Sequence, residues 1–174
     1  DYDQGKRVNV AGFVIHSAVH HARPEIDCVI HTHTADGMAV SAQKQGLLPI
    51  TQHALKFYNC LSYHQYEGIA LSTDERSRLV QDLGNTKAMI LCNHGLLSAG
   101  ESAAEAFYTL YFLERACQAQ IKATSSGAEL IIPNEELCAF TAQQYKNEES
   151  PEYMNMFWNA ALSQIASQET SYTS

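Results

Sequence analysis

Cys28-Val29-Ile30-His31-Thr32-His33-Thr34 is the stretch on which the reading turns, with Leu91-Cys92-Asn93-His94-Gly95-Leu96 as its counterpart further along. Cys28 to Ile30 is a short apolar run of the kind that forms a buried strand. Side chains two apart on a strand project from the same face, so His31 and His33 point to one place. Lys87-Ala88-Met89-Ile90-Leu91 predicts a second buried strand, and in Asn93-His94-Gly95 the glycine lets the backbone turn tightly after it. Two neighbouring strands that end at one rim would bring His94 beside His31 and His33. Three converging imidazoles with an open fourth position form a common catalytic zinc arrangement, in which the ion acts as a Lewis acid. The same residues equally suit a hydrogen-bonded pair at a strand end and a turn histidine in a hairpin. Spacing alone does not choose.

Outward from these strands, element types alternate. Phe13 to Ala22 reads as a helix stopped by Arg23-Pro24, because the residue before proline avoids helical angles. Thr34 is placed to cap a helix from Ala35 to about Gln43, with Gly46 just past its end. Leu48-Pro49-Ile50 and Leu61-Ser62-Tyr63 read as short strands flanking a weak helix from His53 to Asn59. Ser72-Thr73-Asp74-Glu75 has the spacing of a capping box and opens a helix that Gly84 stops. Leu96 to Ala99 reads as a strand, and the longest helix runs from about Ser102 to Ala123, with Phe107, Leu110, Tyr111, Glu114 and Cys117 at helical spacing. Leu130-Ile131-Ile132 resembles another strand, Asn134 caps a helix toward Tyr145, and a last helix spans Pro151 to Ala166. This predicts a single α/β domain over residues 1–174, with helices covering a mixed sheet.

Composition narrows the function. The 174 residues carry 11 Lys+Arg against 19 Asp+Glu, a formal charge of −8, and no basic cluster, so nucleic acid is a poor partner. No apolar run approaches the ~18–20 residues that span a bilayer. The five cysteines are scattered, with no CxxC pair, and read as reduced thiols in the cytoplasm rather than a disulfide framework. Asp1-Tyr2-Asp3 stands where a start methionine would be expected, which points to an upstream piece.

The remaining histidines are weaker candidates for ligands. His16 and His20 lie i, i+4 on the first helix, but without the glutamate of an HExxH pattern. Cys92 shares strand parity with His94 yet lies a full repeat, ~6–7 Å, further back. Among groups that could move protons, Tyr63, His53 and Glu67 are the candidates; Glu67 sits in a loop with Tyr63, His64 and Tyr66.

Taken together, His31-Thr32-His33-Thr34, Ala39-Val40-Ser41-Ala42 and Leu91-Cys92-Asn93-His94-Gly95-Leu96 resemble the class II aldolase/adducin family, over about Val8 to Ala123. Val8 to Phe13, Gly46 to Ile50 and Tyr63-His64-Gln65-Tyr66-Glu67-Gly68 are most similar to its adducin-like branch. The resemblance implies a three-layer α/β/α sandwich with a mixed, largely antiparallel sheet. It also implies one zinc ion per chain on His31, His33 and His94, and an enediolate stabilised during cleavage of a small hydroxy-carbonyl, sugar-like substrate. A homo-oligomer, as a tetramer, is expected too; Tyr153, Met154, Met156, Phe157 and Trp158 offer a cluster that could cover a partner.

Two departures from the aldolase pattern stand out. By the family register, Gly12 occupies the position of the acidic base, and Val10 and Ala11 those of serines that hold substrate phosphate. Ala54 lies where the dehydratase branch carries its glutamate. The resemblance further implies that the family's N-terminal strands precede this chain. The leading reading is therefore a zinc-dependent, aldolase- or lyase-like enzyme. A non-catalytic, adducin-like head for self-association or protein binding is the alternative.

Overall fold

The computed structural model describes residues 10–68 and 73–166. The elements run α1 (Val10–Ala22), β1 (Cys28–Thr32), α2 (Ala35–Ser41), α3 (Gln52–Leu55), β2 (Ser62–His64), α4 (Thr73–Leu83), β3 (Ala88–Leu91), β4 (Gly95–Gly100), α5 (Ala103–Thr124), α6 (Glu135–Glu148) and α7 (Pro151–Ala166). The sheet order is β1-β4-β3-β2. β4 pairs antiparallel with both β1 and β3, while β2 runs parallel to β3. The sheet is mixed and largely antiparallel.

Strand parity sorts the core into two layers. Val29, Met89, Leu91, Leu97 and Ala99 face Val14, Ile15, Val19, Leu79 and Leu83, which come from α1 and α4. Ile30, Ala88, Ile90 and Leu96 face the other way, against Val40 of α2 and Leu110, Leu113 and Cys117 of α5. β3 and β4 are buried on both faces, so their sequences are apolar without alternation. Each fully buried Leu, Ile or Met contributes ~1.5–3 kcal/mol. Helices on both sides of the sheet make the three layers.

Local chemistry explains the ends of the elements. Ser102 and Asn134 accept from the backbone N–H of Glu105 and Leu137, and so cap α5 and α6. After α1, the Arg23 guanidinium donates to the Thr86 carbonyl (2.6 Å), and the His20 Nδ1–H to that of Ile26 (2.9 Å). These bonds fix the turn into β1. Thr34 stands at the N-cap of α2 but makes no capping bond; its hydroxyl is turned toward α5 instead. Ser72 of the expected capping box lies outside the described residues, and α4 starts at Thr73.

Two expected strands do not form. Leu48 to Ile50 is irregular. The buried Gln120 side chain accepts from the Leu48 N–H on Oε1 (2.7 Å), its Nε2 donates to the Gly46 carbonyl just before the segment (2.8 Å), and the Leu48 carbonyl accepts from the Ile50 N–H (2.9 Å). Pro49 could not have completed a ladder. Leu130 to Ile132 is also irregular, with Ile131 91% exposed, and no strand among the described residues pairs with it.

Candidate metal centre

β1, β3 and β4 meet at one rim. The antiparallel register puts Thr32 opposite Leu96 and Leu91 opposite Gly95, so His33, just past β1, and the β3–β4 turn lie side by side. That turn is tied down by the Asn93 N–H donating to the Ser41 carbonyl (2.9 Å), the Cys92 N–H to that of His64 (2.8 Å) and the His94 N–H to that of Leu91 (3.0 Å). Asn93 takes φ 56°, the left-handed region that asparagine tolerates. Gly95 has no alternative: a Cβ there would lie 2.2 Å from the Thr32 carbonyl oxygen and 3.2 Å from the His33 ring.

The imidazoles of His31, His33 and His94 converge. Their ring centroids are 4.6–4.7 Å apart in every pair, and one ligand nitrogen from each lies within 4.8 Å of the others. His31 Nδ1–H donates to the Leu96 carbonyl (2.8 Å), which leaves the Nε2 lone pair facing His33 Nε2 at 2.8 Å. Such a bond from the remote nitrogen is how ligating histidines are oriented. Burial pushes the His31 pKa down to about 4, against the opposing Leu96 bond and helped by the neighbouring His94, His33 and His16. Burial, then His33 and His64, lowers that of His94 as well. These two rings are therefore neutral at neutral pH, the form that binds metal. Tetrahedral zinc with Zn–N of ~2.0–2.1 Å asks for nitrogens ~3.4 Å apart, a separation within the spread of these rings. The donor set fits zinc.

The proton-transfer candidates fall in different places. Tyr63 packs against Gly46, and its hydroxyl accepts from the Leu47 N–H (3.1 Å). His53 stands edge-on to Phe112, 4.9 Å between centroids. Glu67 is gripped by Arg78 through both carboxylate oxygens, which hold its carboxyl below the usual range. Of the three, Glu67 shares a small cavity with His94, together with Tyr66 and His64.

Two neighbours of the centre, Tyr66 and Glu114, were not singled out from sequence, whereas His64 reads there as a residue that could line a pocket. Tyr66, 53% exposed, stands edge-on to His94 with centroids 6.4 Å apart. His64 is buried and donates from Nδ1 to Asp82 Oδ2 (2.7 Å). Glu114, on α5, accepts from both Thr32 and Thr34. A signal for Glu114 was present: an acid on the helical stripe of Leu110, Cys117 and Ile121 must find a partner inside. For Tyr66 there was none, since its loop has no periodicity.

Comparison with known proteins agrees with this fold. The model of the class II aldolase and adducin N-terminal domain matches residues 1–121. A Pseudomonas aeruginosa protein named provisionally for aldolase class 2 is 53% identical over 134 residues, 76% of this chain and 52% of that protein. Mouse alpha-adducin is 48% identical over 121 residues, 69% of this chain and 16% of adducin. The crystal structure of an aldolase II superfamily protein from Pseudomonas syringae superposes with a TM-score of 0.93 at 48% identity, covering 100% of this chain and 70% of that one. The chain thus spans about half the length of the bacterial relatives that it matches. It belongs to the class II aldolase and adducin family.

Proposed function

We propose that this chain carries the metal centre of a zinc-dependent, aldolase- or lyase-like enzyme acting on a small hydroxy-carbonyl, sugar-like compound. The observation that supports it most is the set of three imidazoles with nitrogens within 4.8 Å of one another, on a scaffold that keeps His31 neutral and aimed. His31, His33 and His94 would hold the ion. Bound there, zinc supplies Lewis-acid polarisation of a carbonyl and stabilises the negative charge that develops on it.

The chain's own side chains set the rest. The Leu96 carbonyl fixes which nitrogen His31 presents. Tyr66, beside His94 and open to solvent, could donate a proton, and Glu67, held ionised at the same cavity by Arg78, could accept one. Gly12 offers no base, and Val10 and Ala11 no hydroxyl for a phosphate. A missing general base typically lowers rate ~10²–10⁴-fold, so phosphorylated ketoses should be poor substrates. Retro-aldol cleavage of phosphorylated and plain ketoses by the zinc-loaded protein, beside His94→Ala and Gly12→Glu, tests this. Zinc-dependent turnover of an unphosphorylated hydroxy-carbonyl that His94→Ala abolishes is expected. Efficient cleavage of a phosphorylated ketose by the parent would overturn the reading of Gly12.

The 48% identity to mouse alpha-adducin favours a second reading, a non-catalytic head that binds partners or itself. Zinc binding without turnover of any sugar, in both parent and Gly12→Glu, would establish that reading over the first.

A further inference from the structure

Thr32 and Thr34 bracket His33 and, by strand parity, project from the face of β1 opposite the ligand histidines. Both hydroxyls donate to one oxygen of Glu114, Thr32 Oγ1 at 2.8 Å and Thr34 Oγ1 at 2.5 Å. These bonds join residues 82 and 80 positions apart, and they clamp the strand end that carries His33 to α5. The clamp has a local cost. Thr34 is the N-cap of α2 yet caps nothing, because its hydroxyl is committed to Glu114. Gly37, where a Cβ would lie 2.7 Å from Thr34 Oγ1, leaves room for that arrangement.

The second carboxylate oxygen is the more informative one. Glu114 Oε2 is buried and has no hydrogen-bond partner among the described residues. A carboxylate half satisfied in a poorly solvated place is unfavourable unless positive charge lies near. The adjacent Arg115 does not supply it, since its guanidinium turns to the Tyr111 hydroxyl and Gln118. The three-histidine centre on the other face of the strand offers only uncharged donors, so an ion there keeps its full charge. The two imbalances complement each other.

We propose that Glu114 is a positioning residue for the metal centre: through Thr32 and Thr34 it fixes His33, and its negative charge raises the centre's affinity for a divalent cation. This rests on the metal reading of His31, His33 and His94. Outer partners of metal ligands commonly set affinity by ~10–100-fold.

The test is cobalt(II) and zinc(II) affinity by competition with a chromophoric chelator, on the parent, Glu114→Gln and Thr34→Val, with circular dichroism and a thermal melt on each. Glu114→Gln retains the shape and an acceptor for both hydroxyls but removes the charge. Expected is a Kd ~10–100-fold weaker for Glu114→Gln, a smaller loss for Thr34→Val, and an altered cobalt(II) d–d spectrum, with folding preserved. Affinity within twofold of the parent in folded Glu114→Gln would overturn the proposal while leaving the metal reading intact. If Glu114→Gln does not fold, Thr34→Val decides, and unchanged affinity there counts against it. A parent that binds neither ion would overturn the metal reading, and this inference with it.

Discussion

Replacing Glu149 by alanine would strand the Lys56 ammonium inside the protein. Lys56 follows α3 and Glu149 follows α6, so their ion pair fastens the C-terminal helices to the core. The side chains are only 8% and 16% exposed. The rings of Phe57, Tyr108 and Tyr145 surround the ammonium at 5.6, 5.0 and 5.7 Å. Removing one partner of a buried pair costs ~3–5 kcal/mol. The rings go on stabilising the cation by ~0.5–2 kcal/mol, which leaves a net loss of about 1–4.5 kcal/mol. At ~2–4 °C per kcal/mol for a chain of this size, Tm should fall by roughly 2–18 °C. Lys56→Met keeps an apolar stem among the three rings but strands the Glu149 carboxylate, 16% exposed, so it should also cost ~3–5 kcal/mol, and only the double variant removes both charges. The two single variants and Lys56→Met/Glu149→Ala, followed by urea unfolding at pH 7, form a double-mutant cycle. The double variant should recover most of the Glu149→Ala loss. A Glu149→Ala protein that melts within ~2 °C of the parent, or a double variant that only adds the two losses, would refute the reasoning.

Three further outcomes follow from other parts of the fold. Burial holds His31 at about 4 and lowers His16 and His94, so below pH ~6.5 the unfolded chain binds more protons than the folded one. Stability is therefore fully present above pH ~6.5 and lost as pH falls toward ~4; urea midpoints across that window should rise with pH, and more steeply than in His31→Gln. Ser102→Ala removes the acceptor for the Glu105 N–H and should cost ~1 kcal/mol, read from the thermal melt. On α7, Tyr153 and Met156 are 43% and 63% exposed, and a tetramer that covers them is expected by light scattering; a monomer at micromolar concentration would exclude it.

The parts of the fold that were legible in the sequence are those governed by local rules. Apolar β3 and β4, Asn134 as a cap, and the Arg23-Pro24 stop depend on neighbours in the chain. The convergence of His31, His33 and His94 needed one long-range guess, that two strands end at the same rim, and the antiparallel register makes them do so. Leu48 to Ile50 departs from a strand because Gln120, about seventy positions away, takes the Leu48 N–H, and the Leu48 carbonyl turns back to the Ile50 N–H. Thr34 looked like a helix cap because threonine usually is one there; the carboxylate on α5 draws its hydroxyl away through a charge-assisted bond. Tyr63, on β2, braces Gly46, whereas Tyr66, in the loop that follows, stands edge-on to His94. Side-chain direction in an irregular loop is set by tertiary packing. Sequence periodicity has no hold on it.

The metal content of the purified protein tests the central claim most directly. The parent, His94→Ala and His20→Ala are purified without added metal and analysed for elements, before and after incubation with zinc and removal of the excess. His94 is one of the three converging ligands, whereas His20, on α1, is occupied with the Ile26 carbonyl. Expected is about one zinc per chain in the parent and in His20→Ala, and a sharp loss in His94→Ala. Zinc near zero in the parent, with no gain on incubation, or an equal content in His94→Ala, would contradict a metal centre at His31, His33 and His94.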